Sequence, residues 1–177
     1  MTEKIIIAGS GGQGIMLLGK VIVQAALLGG LNITWLPSYG AEVRGGAAYC
    51  MVIISSEEIF SPYVEKADTL IIMNQPSLLK FKQRLKHKGL LLINSSLLRT
   101  PPKEGLNKIY FPFTEEAIKL GNIRIANMLA LGGYIQKKKV LSKALAFRAI
   151  EEIAPAGKKN LIKINKKAIE EGIRITR

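Results

Sequence analysis

The chain has 177 residues and a formal net charge of +13, and 48% of its residues are hydrophobic. This apolar fraction excludes intrinsic disorder and suffices for a real core, so we expect residues 1–177 to form a single domain. With one cysteine, Cys50, and one histidine, His87, the chain has no internal disulfide and no cysteine-ligated cluster or zinc site of its own.

The first part of the chain alternates between strand and helix patterns. Short apolar runs predict five strands, which are Lys4–Ala8, Asn32–Leu36, Ala47–Ser55, Asp68–Met73 and Leu90–Asn94. Helical spacing predicts helices over Gln13–Leu28 and over Pro76–Lys86, the second with a proline near its first turn. Lys108–Phe113 predicts a last short strand, which its proline places near a sheet edge.

The remainder of the chain is helical in pattern. Helices are predicted after the N-cap candidates Thr114, Ser142 and Asn160, the last of them ending at Gly172, and a further helix spans Ile123–Gln136. Strands that alternate with helices predict an α/β fold. We therefore expect a doubly wound, mostly parallel, Rossmann-like sheet with a helical C-terminal segment.

The longest apolar stretch, residues 15–31, is interrupted by Lys20, Gln24 and paired glycines. A membrane-spanning helix needs about 20 apolar residues, so this stretch predicts a buried helix. The first residues lack the pattern of a secretory signal, and we expect a soluble, cytoplasmic protein with no membrane partner. Cys50 lies in a strand-like run and is predicted to be a buried apolar residue, and His87 is predicted to lie at the surface.

The charge is unevenly spread. Residues 1–75 hold four basic and six acidic side chains, a net −2, whereas residues 76–177 hold 22 basic and seven acidic side chains, a net +15. A basic half attracts polyanions or acidic proteins. Aromatic residues are few and no nucleic-acid-binding motif is present, so we expect no nucleic acid partner and interpret most of the lysines as solvated helix faces.

A glycine cluster, GSGGQG, occupies residues 9–14 between the first strand and the first helix. Glycines permit close approach of the backbone, and a helix N-terminus offers free N–H groups to an anion. Gly9, Gly11 and Gly14 match GxGxxG, yet no acidic residue between Met16 and Ala41 could bind an NAD ribose, and no P-loop lysine follows. The cluster predicts a phosphate-binding turn without a dinucleotide fingerprint; the alternative is tight helix–strand packing alone.

A second cluster, SYGAEVRGGAAY at residues 38–49, follows the second strand. In a parallel sheet that position lies at the carboxyl ends of the strands, where open α/β proteins bind ligands. Arg44 could hold a phosphate or carboxylate, and Glu42 could orient it. The alternative is a glycine-rich connection with a surface Glu–Arg pair. No nucleophile elbow, paired carboxylates or Cys–His pair accompanies the clusters, so we expect no catalytic residue and no metal ligand in this chain.

With both clusters in view, the chain resembles the gamma subunit of 2-oxoacid:ferredoxin oxidoreductases, a family with enzymes for pyruvate, 2-oxoisovalerate and 2-oxoglutarate. The resemblance covers nearly the whole chain. It rests on IIIAGSGGQGIMLLGKVI, on PSYGAEVRGGAAYCMVIIS and on RIANMLALGGY at residues 124–134. The family commonly has a proline before the glutamate of the second cluster, where this chain has Ala41.

The resemblance implies a subunit that helps form the coenzyme A side of an active site, with coenzyme A as a substrate. Thiamine diphosphate and iron–sulfur clusters would belong to partner subunits, and the isolated chain would be inactive. The residues implied for the first loop are Gly9, Gly11, Gly12, Gln13 and Gly14. The residues implied for the second loop are Ser38, Tyr39, Gly40, Glu42, Arg44, Gly45 and Gly46. Arg44 would be the main charge contact and Gln13 an amide contact at the helix start.

The implied partners are alpha and beta subunits, with a delta subunit as a further candidate, and ferredoxin through the complex. An isolated chain could also form a homodimer through surfaces meant for partners. The order of preference for the substrate is 2-oxoglutarate, then pyruvate or a branched-chain 2-oxoacid. Three alternatives stay open: the small subunit of an indolepyruvate oxidoreductase, a scaffold without ligand contact, and a nucleotide- or RNA-binding regulator.

Overall fold

The computed structural model describes residues 1–38, 48–101 and 107–177. Its strands are β1 (Thr2–Gly9), β2 (Asn32–Ser38), β3 (Ala48–Ser55), β4 (Ala67–Ile72), β5 (Leu85–Asn94) and β6 (Lys108–Phe111). Its helices are α1 (Ile15–Leu28), α2 (Gln75–Phe81), α3 (Phe113–Lys119), α4 (Ala126–Lys138), α5 (Lys143–Ile153) and α6 (Lys159–Ile175). Short 3-10 turns cover Lys82–Arg84, Ser95–Leu97 and Ile123–Ile125.

The six strands form one sheet in the order β2-β3-β1-β4-β5-β6. Strands β1, β4, β5 and β6 are parallel neighbours, whereas β3 is antiparallel to both β1 and β2. Only β3 is therefore reversed among the described strands, and the carboxyl ends of the others lie at one edge of the sheet. The predicted α/β fold with a mostly parallel sheet is confirmed, and β6 is an edge strand as predicted.

The sheet is buried on both faces because its strands are almost continuously apolar. On one face, Ile5, Ile7 and neighbouring strand residues pack against α1, α4, α5 and α6. On the other face, Ile6 and Ala8 belong to a second core that includes Leu78 and Phe81 of the short helix α2. Helices on both faces are what continuous apolar strands require.

Several predicted element ends are wrong. Helix α2 ends at Phe81, where the prediction ran to Lys86, because β5 already begins at Leu85. Helix α6 begins before Asn160 and continues past Gly172, which lies inside the helix against α4. The predicted N-cap Ser142 is confirmed, since its side chain accepts a hydrogen bond from the N–H of Leu145 at 3.2 Å.

Two single-residue predictions are confirmed: Cys50 is fully buried and His87 is exposed. Among the described residues, no helix has the length and apolarity needed to cross a bilayer.

Candidate functional site

The glycine loop, residues 10–14, connects β1 to α1 and is tied to the end of β4. The Gln13 side chain folds back into the loop: its Oε1 accepts a hydrogen bond from the Ser10 N–H at 2.6 Å, and its Nε2 donates to the Met73 carbonyl at 3.1 Å. Met73 in turn donates its N–H to the Ala8 carbonyl at 2.8 Å. Gln13 thus has an internal role, and its predicted contact with a ligand stays a prediction.

Two glycines of the loop adopt left-handed backbone conformations. Gly12 has a φ of 84° and Gly14 has a φ of 69°, which residues with a Cβ rarely adopt. A Cβ at Gly12 would have no heavy atom within 4 Å, so the loop backbone is open to approach there. The sequence pattern therefore reflects a real requirement for glycine at both positions.

The N-terminus of α1 faces this loop without a side-chain cap. Gly14 is the N-cap residue, no side chain among the described residues caps the first turn, and the first turn holds no acidic residue. The first N–H groups of a helix have no partner inside the helix and carry partial positive charge. The loop and helix end together can accept an anionic group by backbone contacts.

A cavity of about 240 Å³ opens beside the glycine loop at the carboxyl ends of the parallel strands. The described residues that line it are Gly12, Gln13, Met73, Leu97, Thr114, Ile123, Arg124 and Ala126. Thr114 supplies a hydroxyl to this lining, and its Oγ1 accepts a hydrogen bond from Asn94 at 2.7 Å, so the hydroxyl proton is directed elsewhere. The lining combines a backbone cradle, a hydroxyl and apolar side chains.

Arg124 is the charged residue among those described in the cavity lining. Its side chain is exposed and makes no ion pair with a carboxylate of the described residues. Its backbone N–H is held by the Asn122 side chain at 3.0 Å, which fixes the 3-10 turn that carries it. An arginine without a carboxylate partner beside a glycine loop can bind phosphate or carboxylate bidentately.

Ser38 is the one residue of the predicted second loop that the structure describes. It ends β2 and pairs with Tyr49 of β3, and Tyr49 on its other side pairs with Ala8 of β1. Ser38 therefore lies at the same edge as the glycine loop, two strands from Ala8, or about 10 Å at the usual strand spacing. The other predicted residues, Tyr39, Gly40, Glu42, Arg44, Gly45 and Gly46, lie outside the described residues.

Arg124 and a buried asparagine, Asn127, are site residues that sequence reasoning did not assign. Both lie in RIANMLALGGY, a segment that served only as support for the family resemblance. The sequence did contain a signal for these two residues. Arg124 and Asn127 lie three positions apart at the start of a segment that is otherwise apolar as far as Ile135. Their link to the glycine loop was not visible because more than 100 residues separate them along the chain.

Cys50 lies next to the start of α1, where its Sγ is 3.9 Å from the Ile15 carbonyl oxygen. Burial raises the pKa of its thiol to about 12. A thiol that stays protonated is a poor nucleophile. The described residues also contain no group of three or more metal-ligating side chains.

Comparison with known proteins identifies the family. Residues 4–175 match the family described as pyruvate ferredoxin/flavodoxin oxidoreductase. The chain belongs to this family. It is 36% identical over 169 residues to the ketoisovalerate oxidoreductase subunit VorA of Methanothermobacter marburgensis, an alignment that covers 96% of this chain and 35% of that subunit. The chain thus spans about a third of the length of this relative.

Other relatives match along most of their own length. The 2-oxoglutarate synthase subunit KorC of Methanocaldococcus jannaschii is 35% identical over 174 residues, with 94% of this chain and 92% of KorC covered. The crystal structure of a keto/oxoacid ferredoxin oxidoreductase gamma subunit from Geobacter sulfurreducens superimposes with a TM-score of 0.85 at 30% identity, covering 98% of each chain. The chain therefore has the fold of a gamma subunit.

A further solved structure shares the fold at lower identity. It is a 2-oxoglutarate:ferredoxin oxidoreductase from Magnetococcus marinus with 2-oxoglutarate, coenzyme A and succinyl-CoA bound. The TM-score is 0.87 at 24% identity, and the superposition covers 99% of this chain and 31% of that one. The gamma-type fold thus also occurs as part of a longer chain.

Proposed function

We propose that this chain is the gamma subunit of a multi-subunit 2-oxoacid:ferredoxin oxidoreductase. Such a complex converts a 2-oxoacid, coenzyme A and oxidised ferredoxin to an acyl-CoA, CO2 and reduced ferredoxin. The role of this subunit is to bind the phosphate-bearing part of coenzyme A at the glycine loop. The isolated chain is inactive because the reacting centre belongs to other subunits.

One observation carries the proposal: Gly12 and Gln13 of the glycine loop line the same cavity as Arg124 at the carboxyl edge of the sheet, next to the uncapped start of α1. A phosphate on coenzyme A would meet backbone N–H groups on one side and a guanidinium on the other. Coenzyme A has no nicotinamide ribose, so the missing acidic residue after β2 is no obstacle. The coenzyme A bound in the Magnetococcus enzyme, whose fold is shared, supports the same ligand class.

Thiamine diphosphate and the iron–sulfur clusters are assigned to the alpha, beta and any delta subunits. Cys50 is the only cysteine of the chain and is buried, so the chain does not supply the four thiolates of a cluster. Thiamine diphosphate, where bound, supplies the carbanion stabilisation that decarboxylation of a 2-oxoacid needs. The residues of this chain bind and orient the acyl acceptor, and ferredoxin is reached through the complex.

The second predicted loop is part of the proposal. Ser38 and Ala48, which precede and follow residues 39–47, lie at the edge that carries the glycine loop. Arg44 is proposed as a second cationic contact for the phosphates, with Glu42 orienting it. Replacing Arg44 by alanine in the assembled complex is expected to raise the KM for coenzyme A.

The proposed 2-oxoacid is 2-oxoglutarate, with pyruvate or a branched-chain acid next. The KorC relative, which matches this chain over 92% of its own length, supports 2-oxoglutarate, whereas the VorA relative supports ketoisovalerate. An activity screen of the native complex over these 2-oxoacids, with coenzyme A and ferredoxin, decides among them. Indolepyruvate is included in the screen, because its oxidoreductase is the alternative within this family.

The binding role is tested by Arg124→Gln in the purified complex. We expect the KM for coenzyme A to rise about tenfold with little change in kcat, because a ground-state phosphate contact is lost. Arg148→Gln is the matched control, since Arg148 is also exposed but lies on α5 and does not line the cavity.

Two results would count against this function. An unchanged KM for coenzyme A in both Arg124→Gln and Arg44→Ala would favour a scaffold subunit without ligand contact. Co-purification of the chain with RNA in a salt-dependent manner, without thiamine-dependent partners, would favour the regulator alternative.

A further inference from the structure

Asn127 connects the glycine loop to helix α4. Its side chain is 2% exposed, lies in the first turn of α4 and donates a hydrogen bond from Nδ2 to the Gly14 carbonyl at 3.0 Å. Its Oδ1 accepts a hydrogen bond from the N–H of Met128 at 2.9 Å. Both polar atoms of this buried amide therefore make hydrogen bonds, and the bond from Nδ2 reaches a residue 113 positions away along the chain.

The Gly14 carbonyl is the oxygen that starts helix α1. It also accepts the first hydrogen bond inside that helix, from the N–H of Leu18 at 2.9 Å. A peptide unit is planar and trans, so its C=O and its N–H point in opposite directions. Fixing the Gly14 carbonyl from two sides consequently fixes the direction in which the N–H of Ile15 leaves the helix start.

The same asparagine also links two segments that line the cavity, the glycine loop and the turn before α4. Arg124 lies three residues before Asn127, in the turn that leads into α4, and lines the same cavity as Gly12. A Cβ on Gly14 would lie 2.3 Å from Nδ2 of Asn127, so the Asn127 side chain packs directly against the Gly14 backbone. The hydrogen bond therefore holds the turn that carries Arg124 against the loop that carries the backbone donors.

We propose that Asn127 is a positioning residue for the anionic part of the ligand. It aligns the Gly14–Ile15 peptide with the turn bearing Arg124, so that backbone N–H groups and the guanidinium reach the same phosphate. This proposal rests on the function proposed above. Asn127 itself has both polar atoms engaged within the chain and acts through its neighbours.

The experiment compares Asn127→Ala with Thr69→Val. Thr69 is also fully buried, and its hydroxyl donates to Glu3 at 2.6 Å near the opposite edge of the sheet, so this variant loses a buried hydrogen bond far from the loop. In the purified complex, we expect Asn127→Ala to raise the KM for coenzyme A about tenfold while kcat stays within about twofold. Thr69→Val should change neither constant.

A second readout does not depend on activity. Amide hydrogen exchange of the full chain should be about tenfold faster over residues 10–18 in Asn127→Ala, with the centre of the sheet unchanged. If the alanine variant does not fold, Asn127→Asp serves for this measurement, because it keeps the shape and the acceptor for Met128 but loses the amide donor.

The outcomes separate this inference from the proposed function. A raised KM in Arg124→Gln with an unchanged KM in Asn127→Ala would overturn the positioning role alone. Unchanged exchange over residues 10–18 would also overturn it, since the loop would then be held by other contacts. Unchanged KM values in Asn127→Ala, Arg124→Gln and Arg44→Ala would overturn the binding function at this edge and the positioning role with it.

Discussion

Gly132 of α4 and Gly172 of α6 face each other where the two helices cross: a Cβ built on Gly132 would lie 2.8 Å from the Cα of Gly172. The same Cβ would lie 2.3 Å from the carbonyl oxygen of Ile169, and a Cβ on Gly172 would lie 2.1 Å from that of Leu129. These neighbours are backbone atoms, which cannot rotate away as a side chain can. The crossing therefore requires glycine at both positions.

Gly172→Ala is expected to lower the free energy of unfolding by about 2–3 kcal/mol, although alanine favours a helix more than glycine does. The cause is separation of α4 from α6. Gly133→Ala, on α4, is the control, because its Cβ would first meet side-chain atoms, at 3.2 Å and 3.4 Å, and it should cost under about 1 kcal/mol. Urea unfolding measures both variants, and equal losses would show that the crossing is not the cause.

The same glycine shows where sequence reasoning stops. Gly172 was predicted to end the last helix, because a glycine after an apolar helical run commonly marks a C-terminus. A glycine at a helix crossing gives the same local pattern, and only the position of α4 distinguishes the two. The predicted cap Thr114 failed for a similar reason: α3 already begins at Phe113, and Asn94 of β5 accepts a hydrogen bond from the Thr114 N–H at 3.2 Å.

Local pattern did predict the alternation of strands and helices, because the buried strands are continuously apolar and the surface helices are not. The antiparallel direction of β3 was not predicted. It could have been predicted from the loop length. Nine residues separate Ser38 from Ala48, fewer than the dozen or so that a parallel crossover needs. The glycine loop was predicted from its own residues, whereas Arg124 and Asn127 reach it only through the packing of α4.

The two left-handed glycines of the loop should differ in what they tolerate. Gly12→Ala is expected to cost about 1 kcal/mol, the penalty of a left-handed backbone, because its Cβ has free space. Gly14→Ala adds a Cβ that would lie 2.3 Å from the Asn127 side chain, and we expect a loss of about 2–3 kcal/mol. Thermal unfolding compares the two directly. Equal losses would contradict the close contact between Gly14 and Asn127.

Cys50 should react with alkylating agents only when the protein unfolds. Its side chain is fully buried, and that burial raises the pKa of its thiol to about 12, so the reactive thiolate is scarce at pH 8. We expect labelling by iodoacetamide to be at least about 100-fold slower in the native protein than in 6–8 M urea, on the order of the protection that global stability gives. Rapid native labelling would place the thiol at a surface that opens locally.

Glu3 is a buried carboxyl at the edge of the sheet opposite the glycine loop. It is 5% exposed, its Oε1 accepts a hydrogen bond from Thr69 at 2.6 Å, and its Oε2 lies 3.1 Å from the Lys138 ammonium. Burial raises the pKa of Glu3 above its ordinary value of 4.5, and the Thr69 hydrogen bond and the Lys138 charge only partly oppose that shift. The folded state therefore holds this proton to a higher pH than the unfolded state does.

This shift predicts that Glu3 makes stability fall as the pH rises. Below pH 4.5 both states carry the proton and its contribution is fully present, and it is lost as the pH passes through the higher folded pKa. Glu3→Gln removes the titration, so the stability of the wild type relative to this variant should decline between pH 4 and pH 7. Glu58→Gln, which removes a carboxylate at an exposed position, is the control measured over the same range. Urea unfolding at several pH values measures these differences. If the wild type instead gained stability relative to Glu3→Gln as the pH rises, the Lys138 charge would outweigh burial and the pKa of Glu3 would be lowered.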